Sequence, residues 1–116
     1  MTGPLVVKLG GDALATPERI ACAARRIATR RHTGPVVAVA SARRGVTDHL
    51  LGLVEQVRAA AGGMDASNRL VAAASDRAAA SGELVAASLL AVALGELGVP
   101  ARVLDAREAG PLLKQQ

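Results

Sequence analysis

Hydrophobic positions along the chain form two short runs, of which the first contains one lysine and the second is unbroken, with helix-spaced stripes between and after them. The runs Leu5–Leu9 and Val36–Ala40 are rich in valine, which suits buried strands. The unbroken pattern of the second run is typical of a strand covered on both faces, as in a parallel sheet. Between the runs, Thr16-Pro17-Glu18 predicts the start of a helix that continues to about Arg31, because threonine can cap and proline fits the first helical position. The apolar stripe of this helix recurs at helical spacing and comprises Ile20, Ala23, Ala24, Ile27 and Ala28.

The pattern after the second run predicts three more helical segments. Thr47-Asp48 begins the first, with Thr47 as its N-cap. Its packing face comprises Leu50, Leu51, Val54 and Val57. Residues 59–66 are predicted to form a loop, and residues 67–80 a helix poor in large apolar side chains. Ser81-Gly82-Glu83 begins a separate helix, whose heptad-spaced contacts comprise Leu84, Val85, Ser88, Leu89, Val92 and Leu97.

A third strand is predicted over Ala101–Leu104, followed directly by Asp105 and then by a weak tail that begins at Ala106. Strands alternating with helices in this order predict an α/β chain with a largely parallel sheet. Ligands of such sheets bind beyond the carboxyl ends of the strands. The residues expected there are Lys8 with Gly10-Gly11, the stretch from Ser41 to Thr47, and the region of Asp105, while Glu83 opens a helix that could face the same crevice.

Composition narrows the class of protein. The chain has 116 residues, 51% of them hydrophobic, and contains no aromatic side chain, so we predict one folded domain with an alanine-, leucine- and valine-filled core. A net charge of +4 and a pI of about 10.6 invite a nucleic-acid hypothesis. The arginines are scattered, however, and no aromatic ring is present to stack on a base, so we expect no nucleic-acid partner.

Cysteine and histidine usage, and the hydropathy of the chain, bear on its compartment. The single cysteine, Cys22, cannot form an internal disulfide, and two histidines at no ligand-like spacing argue against a structural zinc site. No signal peptide is evident, and the apolar stretch from Ala86 to Leu94 is too short to span a membrane. The sequence therefore predicts a cytoplasmic protein without a membrane segment.

The glycine pair after the first strand is the main candidate for chemistry. Gly10 and Gly11 let the backbone turn sharply and approach a ligand closely. Lys8 stands beside this turn, so backbone N–H groups and an ammonium group could together bind a phosphate. The alternative is a strand followed by a plain tight turn. The stretch is neither a P-loop nor a complete Gly-x-Gly-x-x-Gly motif.

Four motifs, in order, resemble those of the amino acid kinase superfamily, and of aspartate kinases in particular. The opening motif is Val7-Lys8-Leu9-Gly10-Gly11. The second block is Val39-Ala40-Ser41-Ala42 followed by residues 45–51, and the third is Ser81-Gly82-Glu83-Leu84 with residues 87–90. Residues 98–105 and 107–110 are similar to the strand and loop that come next. The resemblance covers about residues 5–110.

The resemblance implies a fold and a reaction. The fold is the three-layer αβα sandwich of the amino acid kinase type, here a truncated sheet of about three mostly parallel strands with flanking helices. The reaction is transfer of the ATP γ-phosphoryl group to the β-carboxylate of aspartate, with Mg²⁺ arriving with the nucleotide. By the same resemblance, Lys8 is catalytic, and the nucleotide site comprises Lys8, Gly10, Gly11 and Asp12. The residues that would hold the amino acid substrate are Ser41, Thr47 and Glu83.

The sequence departs from the aspartate kinase pattern in two places. Asp12-Ala13 stands where those enzymes have Thr-Ser, and the Gly-Gly-x-Ala-Leu form is closer to acetylglutamate or uridylate kinases of the same superfamily. Arg43-Arg44 replaces small or neutral residues, and this pair could bind a carboxylate or phosphate. Substrate class is therefore less firmly indicated than superfamily.

The chain is also shorter than the fold that it resembles. Residues 1–110 correspond to the N-terminal half of an amino acid kinase-like domain, and residues 111–116 are expected to form a tail. We therefore expect a partner chain or self-association to complete an active enzyme. The alternatives are a non-catalytic module that binds a small molecule or a protein, and a kinase with another carboxylate or nucleotide substrate.

Overall fold

The computed structural model of the protein describes residues 3–62 and 68–113. Part of the predicted loop over 59–66, and the last three residues of the predicted tail, lie outside these ranges. The elements in chain order are β1 (Leu5–Leu9), α1 (Pro17–Arg31), β2 (Val36–Ala40), α2 (Val46–Ala60), α3 (Arg69–Glu96) and α4 (Ala106–Leu113).

The two strands pair in parallel, as the sequence predicts. The register joins Leu5 to Val36 and continues to Leu9 opposite Ala40. Helix α1 makes the connection between them and begins where predicted: the Thr16 side chain accepts a hydrogen bond from the Arg19 backbone N–H (3.1 Å), and Pro17 occupies the first turn. The α/β class with a parallel sheet is thereby confirmed.

The hydrophobic core lies where α1 and the second half of α3 pack together against the sheet. Its buried members are Leu14, Ile20, Ala23, Ala24, Ile27, Ala86, Leu90 and Leu94. Half-buried Leu9, Val36, Ala38 and Ala40 pack against this cluster from the strands. Most of the predicted α1 stripe is therefore core, and alanines at the helix contact allow close packing of these small side chains.

Helix α3 is one continuous helix of 28 residues, so the predicted division at Ser81 is wrong. Its N-cap is Asn68, whose side chain accepts hydrogen bonds from the N–H groups of Leu70 (2.9 Å) and Val71 (3.2 Å). Ser81 does not cap a helix here, because its hydroxyl donates to the Ala78 carbonyl within the same helix (2.7 Å). Gly82 does not break the helix either, since its missing side chain accommodates close packing of α2.

The buried face of α3 also differs from the predicted one. The buried residues are Gly82, Ala86, Leu90 and Leu94, spaced by four. Most of the predicted heptad face is exposed instead, namely Leu84, Val85, Leu89, Val92 and Leu97. By length and composition alone, α3 is also apolar enough to cross a membrane. A core helix can meet the same criterion, and the second half of α3 packs in the core.

Helix α2 and the first half of α3 pack together, and we call their described residues, 46–62 and 68–81, the arm. Strands β1 and β2 with the loops that follow them, helix α1, and residues 82–96 of α3 form the body. Helix α2 has no buried residue, and none of the described residues of α3 before Gly82 is buried. Helix α2 also begins differently from the prediction, which placed Thr47 at its N-cap. The N-cap is Gly45, in the left-handed conformation (φ 81°), and Thr47 lies inside the first turn.

The region after α3 contradicts two predictions. Residues 101–105 form no strand, because a strand requires a hydrogen-bonded neighbour and the only pairing in the described part of the chain is β1 with β2. The predicted tail contains α4 instead. Asp105 caps this helix reciprocally with Glu108: the Glu108 N–H donates to the Asp105 carboxylate (2.8 Å), and the Asp105 N–H donates to that of Glu108 (3.2 Å).

Candidate functional site

The loops that follow β1 and β2 meet at the carboxyl end of the sheet. Ser41 is the first residue after β2, and its N–H donates to the Leu9 carbonyl (2.9 Å), which extends the pairing one step beyond the strands. This places Ser41 beside the start of the glycine turn. The sequence-predicted convergence of these two segments is therefore present in the fold.

Gly11 is packed directly against the loop after β2. Its carbonyl accepts a hydrogen bond from the Arg44 N–H (3.3 Å). A Cβ at this position would lie 2.8 Å from the Ala42 carbonyl oxygen, closer than real Cβ contacts allow. Gly10 differs, because a Cβ built there would have no atom within 4 Å. Gly11 thus permits a close backbone approach, while Gly10 stands beside open space.

The Arg43 side chain links the loop after β2 to the glycine loop after β1. Its guanidinium donates to the carbonyl oxygens of Leu14 and Ala15, both at 2.9 Å, and the contact is partly buried. Hydrogen bonds from a charged donor are stronger than neutral ones. The Arg43 side chain therefore holds the loop after β2 against the end of the glycine loop, and it is not free for a ligand.

Asp12 has a cationic neighbour on the same loops. The Arg44 guanidinium lies 3.7 Å from its carboxylate, with both side chains at least three-quarters exposed. Arg19 from α1 donates to the Asp12 backbone carbonyl (2.8 Å). An acid beside a phosphate site would repel the ligand, and here Arg44 offsets that charge.

Lys8 occupies the penultimate position of β1, opposite Val39, and is exposed. Its ammonium group has no hydrogen-bond or ion-pair partner among residues 3–62 and 68–113. Asp12 is the only acid in the adjoining loop, and it is paired with Arg44. Lys8 is therefore a cation available to an anionic ligand at the carboxyl end of the sheet.

Thr47 and Glu83 lie where the arm meets the body, next to the loop that follows β2. Thr47 lies in the first turn of α2, a few residues after Ser41. Glu83 follows Gly82, at which a Cβ would lie 3.0 Å from Val46 and 3.1 Å from Ala42. Both side chains are exposed and make no hydrogen bond to each other or to Ser41. The fold thus brings the backbones of these predicted residues near one another without joining their side chains.

The helical context of Glu83 differs from the prediction. It lies in the middle of α3 rather than at a helix N-terminus, so no helix dipole favours an anion at that point. Within the described part of the chain, no group of three or more His, Cys, Asp or Glu side chains could hold a metal ion.

Sequence reasoning missed the structural role of Arg43 and the packing role of Gly82. No pattern marks an arginine that donates to carbonyls of a loop 28 residues earlier in the chain. Gly82 did carry a signal, because a glycine inside an otherwise good helical segment often marks a close packing contact. The reciprocal cap of α4 was also readable, as Asp105 and Glu108 have the spacing of a capping box.

Comparisons with known proteins agree on the family and the fold. The family model described as "Amino acid kinase family" matches residues 3–115. The aspartokinases of Mycobacterium tuberculosis and Mycobacterium bovis are 36% identical to this chain over 107 residues, which is 91% of this chain and 23% of theirs. The aspartokinase of Pseudomonas aeruginosa is 36% identical over 98 residues, covering 84% of this chain and 22% of the relative.

A solved structure shows the same fold. The aspartate kinase of Synechocystis superimposes with a TM-score of 0.66 at 31% sequence identity. The superposition covers 82% of this chain and 15% of that structure's chain. The chain thus spans about a quarter of the length of the curated relatives that it matches. The predicted amino acid kinase type of fold is confirmed by this match.

Proposed function

This chain belongs to the amino acid kinase family, and we propose that it contributes the phosphoryl-binding loop and part of the acceptor site of an aspartate kinase-like phosphotransferase. The observation that carries the proposal is the meeting of Lys8, the glycine turn and Ser41 at the carboxyl end of a parallel strand pair. The similarity to aspartokinases supports the choice of aspartate as acceptor.

The residues present suit a phosphoryl group. Lys8 is a cation without a partner among the described residues, and Gly10 stands beside open space where backbone N–H groups can approach an anion. The single acid of the loop, Asp12, is offset by Arg44. ATP, bound with Mg²⁺, supplies the γ-phosphoryl group that the β-carboxylate of aspartate accepts, which releases ADP.

Each residue of the proposed site has a part in binding or charge stabilisation. Lys8 compensates the negative charge on the transferred group, and the N–H groups of Gly10 and Gly11 donate to its oxygens, since phosphoryl transfer depends mainly on positioning and electrostatics. On the acceptor side, the hydroxyls of Ser41 and Thr47 hydrogen-bond the amino acid. The Glu83 carboxylate accepts from its α-ammonium group.

A complete active site requires more than this chain. The chain corresponds to 23% of the curated relatives, and the described residues include no cluster for a metal ion. We propose that a partner chain, or a second copy of this one, supplies the remaining nucleotide and metal contacts. The similarity to aspartokinases and the single cysteine support our proposal that the chain acts in amino-acid biosynthesis in the cytoplasm.

A non-catalytic module remains the second candidate. The observation that favours it is Asp12, which stands in the glycine turn where a phosphoryl group would bind. In that case the loop would bind a small molecule, or serve as a protein contact, without turnover. A related kinase with a different carboxylate or nucleotide substrate would keep the roles of Lys8 and the glycines and change those of the acceptor residues.

The first experiment measures ADP release from MgATP by the purified chain, with and without aspartate. Lys8→Ala is compared with Arg25→Ala, which removes an exposed charge of the same sign from α1. We expect aspartate-dependent release to fall at least about tenfold in Lys8→Ala, equivalent to about 1.4 kcal/mol of transition-state stabilisation. Arg25→Ala should retain the rate of the parent chain.

A binding measurement separates the two candidates if no turnover is seen. The chain has only two lysines, so reductive ¹³C-methylation gives a spectrum with two side-chain signals besides the terminal amine. Lys8 is assigned from its loss in Lys8→Arg. A MgATP-dependent shift of the Lys8 signal without turnover favours the binding module. An unshifted Lys8 signal in a folded sample contradicts a phosphate site at this loop.

A further inference from the structure

Arg43 and Arg44 are neighbours on the loop after β2, and their side chains have different surroundings. The Arg43 guanidinium makes two hydrogen bonds of 2.9 Å to loop carbonyls and is partly buried. The Arg44 side chain is 78% exposed and makes no hydrogen bond with any described residue. Its polar contact within the described part of the chain is the ion pair with the Asp12 carboxylate, at 3.7 Å. Of the two arginines, Arg44 therefore has the guanidinium that a ligand can engage.

The backbone of Arg44 is held beside the glycine turn, although its side chain is exposed. Its N–H donates to the Gly11 carbonyl (3.3 Å), and a Cβ built on Gly11 would lie 3.2 Å from the same nitrogen. The loop is closed on the other side by a hydrogen bond from the Val46 N–H to the Arg43 carbonyl (3.0 Å). An anion at the glycine turn would therefore lie close to Arg44, and rotation of this one side chain would bring the guanidinium to it.

The ion pair between Arg44 and Asp12 is weak enough to be exchanged for another partner. Both side chains are at least three-quarters exposed, and exposed ion pairs contribute little because water and salt screen them. A phosphate group carries more negative charge near neutral pH than a carboxylate does, and the guanidinium fork can donate to two of its oxygens at once. A polyphosphate at the glycine turn therefore competes well with Asp12 for Arg44.

The other charges around the turn favour the same class of ligand. Lys8 has no partner among the described residues, and the Arg19 guanidinium donates to the Asp12 backbone carbonyl (2.8 Å). Three positive charges thus stand near a single acid. One carboxylate, such as that of an amino acid, would offer Arg44 only the charge that Asp12 already supplies. The arrangement therefore favours a ligand with several negative charges over a single carboxylate.

We propose that Arg44 is a phosphate-binding residue that exchanges partners. Its guanidinium pairs with Asp12 in the free protein, and with the oxygens of a polyphosphate when one binds at the glycine turn. Asp12 is then an internal competitor, because a ligand must displace its carboxylate to engage Arg44. The exchange selects polyphosphates over singly charged anions, which assigns Arg44 to the phosphoryl-donor side of the site rather than to the acceptor side. The proposal rests on the phosphoryl-binding function proposed above and adds a residue to it.

Titration of the methylated Lys8 signal with MgATP measures affinity in the parent chain and in each variant. We expect Arg44→Gln to weaken binding about fivefold or more, and Arg44→Lys to restore only part of the loss, because lysine keeps the charge but lacks the planar fork. The matched control is Arg58→Gln, which breaks an ion pair with Glu55 (3.8 Å) in the last turn of α2, at the far end of that helix from Gly45. It should bind MgATP as tightly as the parent chain.

Asp12→Asn tests the competition. With Arg44 present, it should tighten MgATP binding about threefold, because Arg44 is released and the repulsion between Asp12 and the ligand is removed. Combined with Arg44→Gln, it removes the repulsion alone, and the gain should be smaller. Equal gains in the two backgrounds would mean that Asp12 acts on the ligand directly and that Arg44 does not exchange partners, which would overturn the proposal.

Spectra of the ¹⁵N-labelled arginine Nε–H groups follow the exchange of partners directly. The Arg43 and Arg44 signals are assigned from their loss in the corresponding lysine variants. Arg43 is the internal reference, because its Nε–H already donates to the Leu14 carbonyl (2.9 Å). MgATP should shift the Arg44 signal and slow its exchange with water, whereas aspartate alone should leave both signals unchanged. An Arg44 signal that responds to aspartate and not to MgATP would place Arg44 on the acceptor side and overturn the proposal.

The outcomes distinguish the role of Arg44 from the function on which it rests. If MgATP shifts the Lys8 signal and Arg44→Gln binds as tightly as the parent chain, the phosphoryl site stands and the proposed role of Arg44 is wrong. If MgATP leaves the Lys8 signal unshifted in a folded sample, the phosphoryl site and the role of Arg44 are both wrong. Far-UV circular dichroism checks that each variant retains its helices.

Discussion

The two halves of α3 have the same alanine-rich character and meet different surroundings. In the body, residues 82–96 pack against α1 and β2 and bury four positions. In the arm, residues 69–81 follow the hairpin partner α2 along the chain, and none of them is buried. The difference shows that composition alone does not decide burial in this chain. An alanine-rich helix becomes core only where a sheet and a second helix enclose it.

The division into body and arm also affects the overall dimensions of the protein and the position of the proposed site. The radius of gyration is 16.8 Å, against about 13 Å for a compact domain of about 100 residues, which fits a body with a projecting arm. Lys8, the glycine turn and Ser41 belong to the body. Thr47 and Glu83 lie at its junction with the arm, where Gly82 contacts α2. The positions of Thr47 and Glu83 relative to Ser41 therefore depend on how α2 packs against Gly82.

The largest expected effect compares one substitution in the two halves of α3. Leu90→Ala removes a side chain that is 3% exposed in the core, and we expect a loss of about 2–5 kcal/mol in the free energy of unfolding. Leu70→Ala removes the same atoms from a side chain that is 82% exposed, and the change should stay within about 0.5 kcal/mol. Urea unfolding followed by far-UV circular dichroism measures both, since the chain has no aromatic side chain for fluorescence.

The outcome of that pair tests the division into body and arm. Similar losses for Leu90→Ala and Leu70→Ala would mean that Leu70 is covered in solution, and the arm would then have packing that the structure does not show. A small loss for Leu90→Ala would mean that the body is loosely packed. Either result would contradict the contrast between a packed body and an exposed arm.

The next prediction concerns neighbouring arginines in the loop of the body. Arg43→Ala removes two hydrogen bonds from a charged donor to the carbonyls of Leu14 and Ala15, and we expect a loss of about 1.5–3 kcal/mol. Arg44→Ala removes only an exposed ion pair with Asp12, so the loss should be about 0.5 kcal/mol or less. The same urea titration serves for both.

Repeating the titration at high ionic strength distinguishes the contributions of Arg43 and Arg44. The contribution of Arg44 should shrink further at high ionic strength, because exposed charges are screened, whereas that of the partly buried Arg43 should persist. If the two variants lose equal stability, Arg43 does not hold the loops together as the hydrogen bonds indicate.

A third prediction tests how tightly the arm packs against the body, by comparing two helical glycines. Gly52→Ala in α2 meets no atom within 4 Å, so the gain in helix propensity should stabilise the chain by about 0.5–1 kcal/mol. Gly82→Ala places a Cβ 3.0–3.3 Å from Val46, Ala42 and Leu50. We expect it to destabilise by about 1–2 kcal/mol, since three neighbours must move. Thermal unfolding of both variants would show shifts of opposite sign, and equal shifts would contradict a tight junction.

Much of the body could be predicted from the sequence, because its signals are local. Both strands follow from short valine-rich runs, and α1 follows from Thr16-Pro17 and a stripe that is mostly core. The placement of Lys8, Gly10, Gly11 and Ser41 at one edge follows from parallel pairing alone. Their chemical roles are still predictions, since a fold positions residues without assigning their reactions.

The arm and the region after α3 were harder to predict, because tertiary contacts decide them. Ser81-Gly82 has the composition of a helix start, yet packing against α2 keeps the helix continuous. The apolar residues of α3 suggest a heptad face, whereas the contact with α1 selects Ala86, Leu90 and Leu94 instead. A third strand over residues 101–104 requires a neighbour that the described part of the chain does not pair with it.

The smallest expected effect lies in α4, where local capping can be separated from tertiary packing. The described residues of α4 make few contacts with other elements, so its order rests on the reciprocal cap of Asp105 and Glu108. Asp105→Ala should destabilise the helix locally by about 1 kcal/mol and leave the global unfolding free energy unchanged. Hydrogen exchange of the Ala109 amide, which donates to the Asp105 carbonyl (2.9 Å), reports this local change.

The Leu94 amide, in the buried half of α3, is the internal reference for the same sample. The matched control is Arg102→Ala, which removes only an exposed ion pair to Glu108 at 3.4 Å and should leave Ala109 exchange nearly unaltered. If Asp105→Ala instead accelerates exchange at Leu94 as well, α4 is coupled to the body. The contrast between a packed body and locally stabilised helices would then apply to the arm alone.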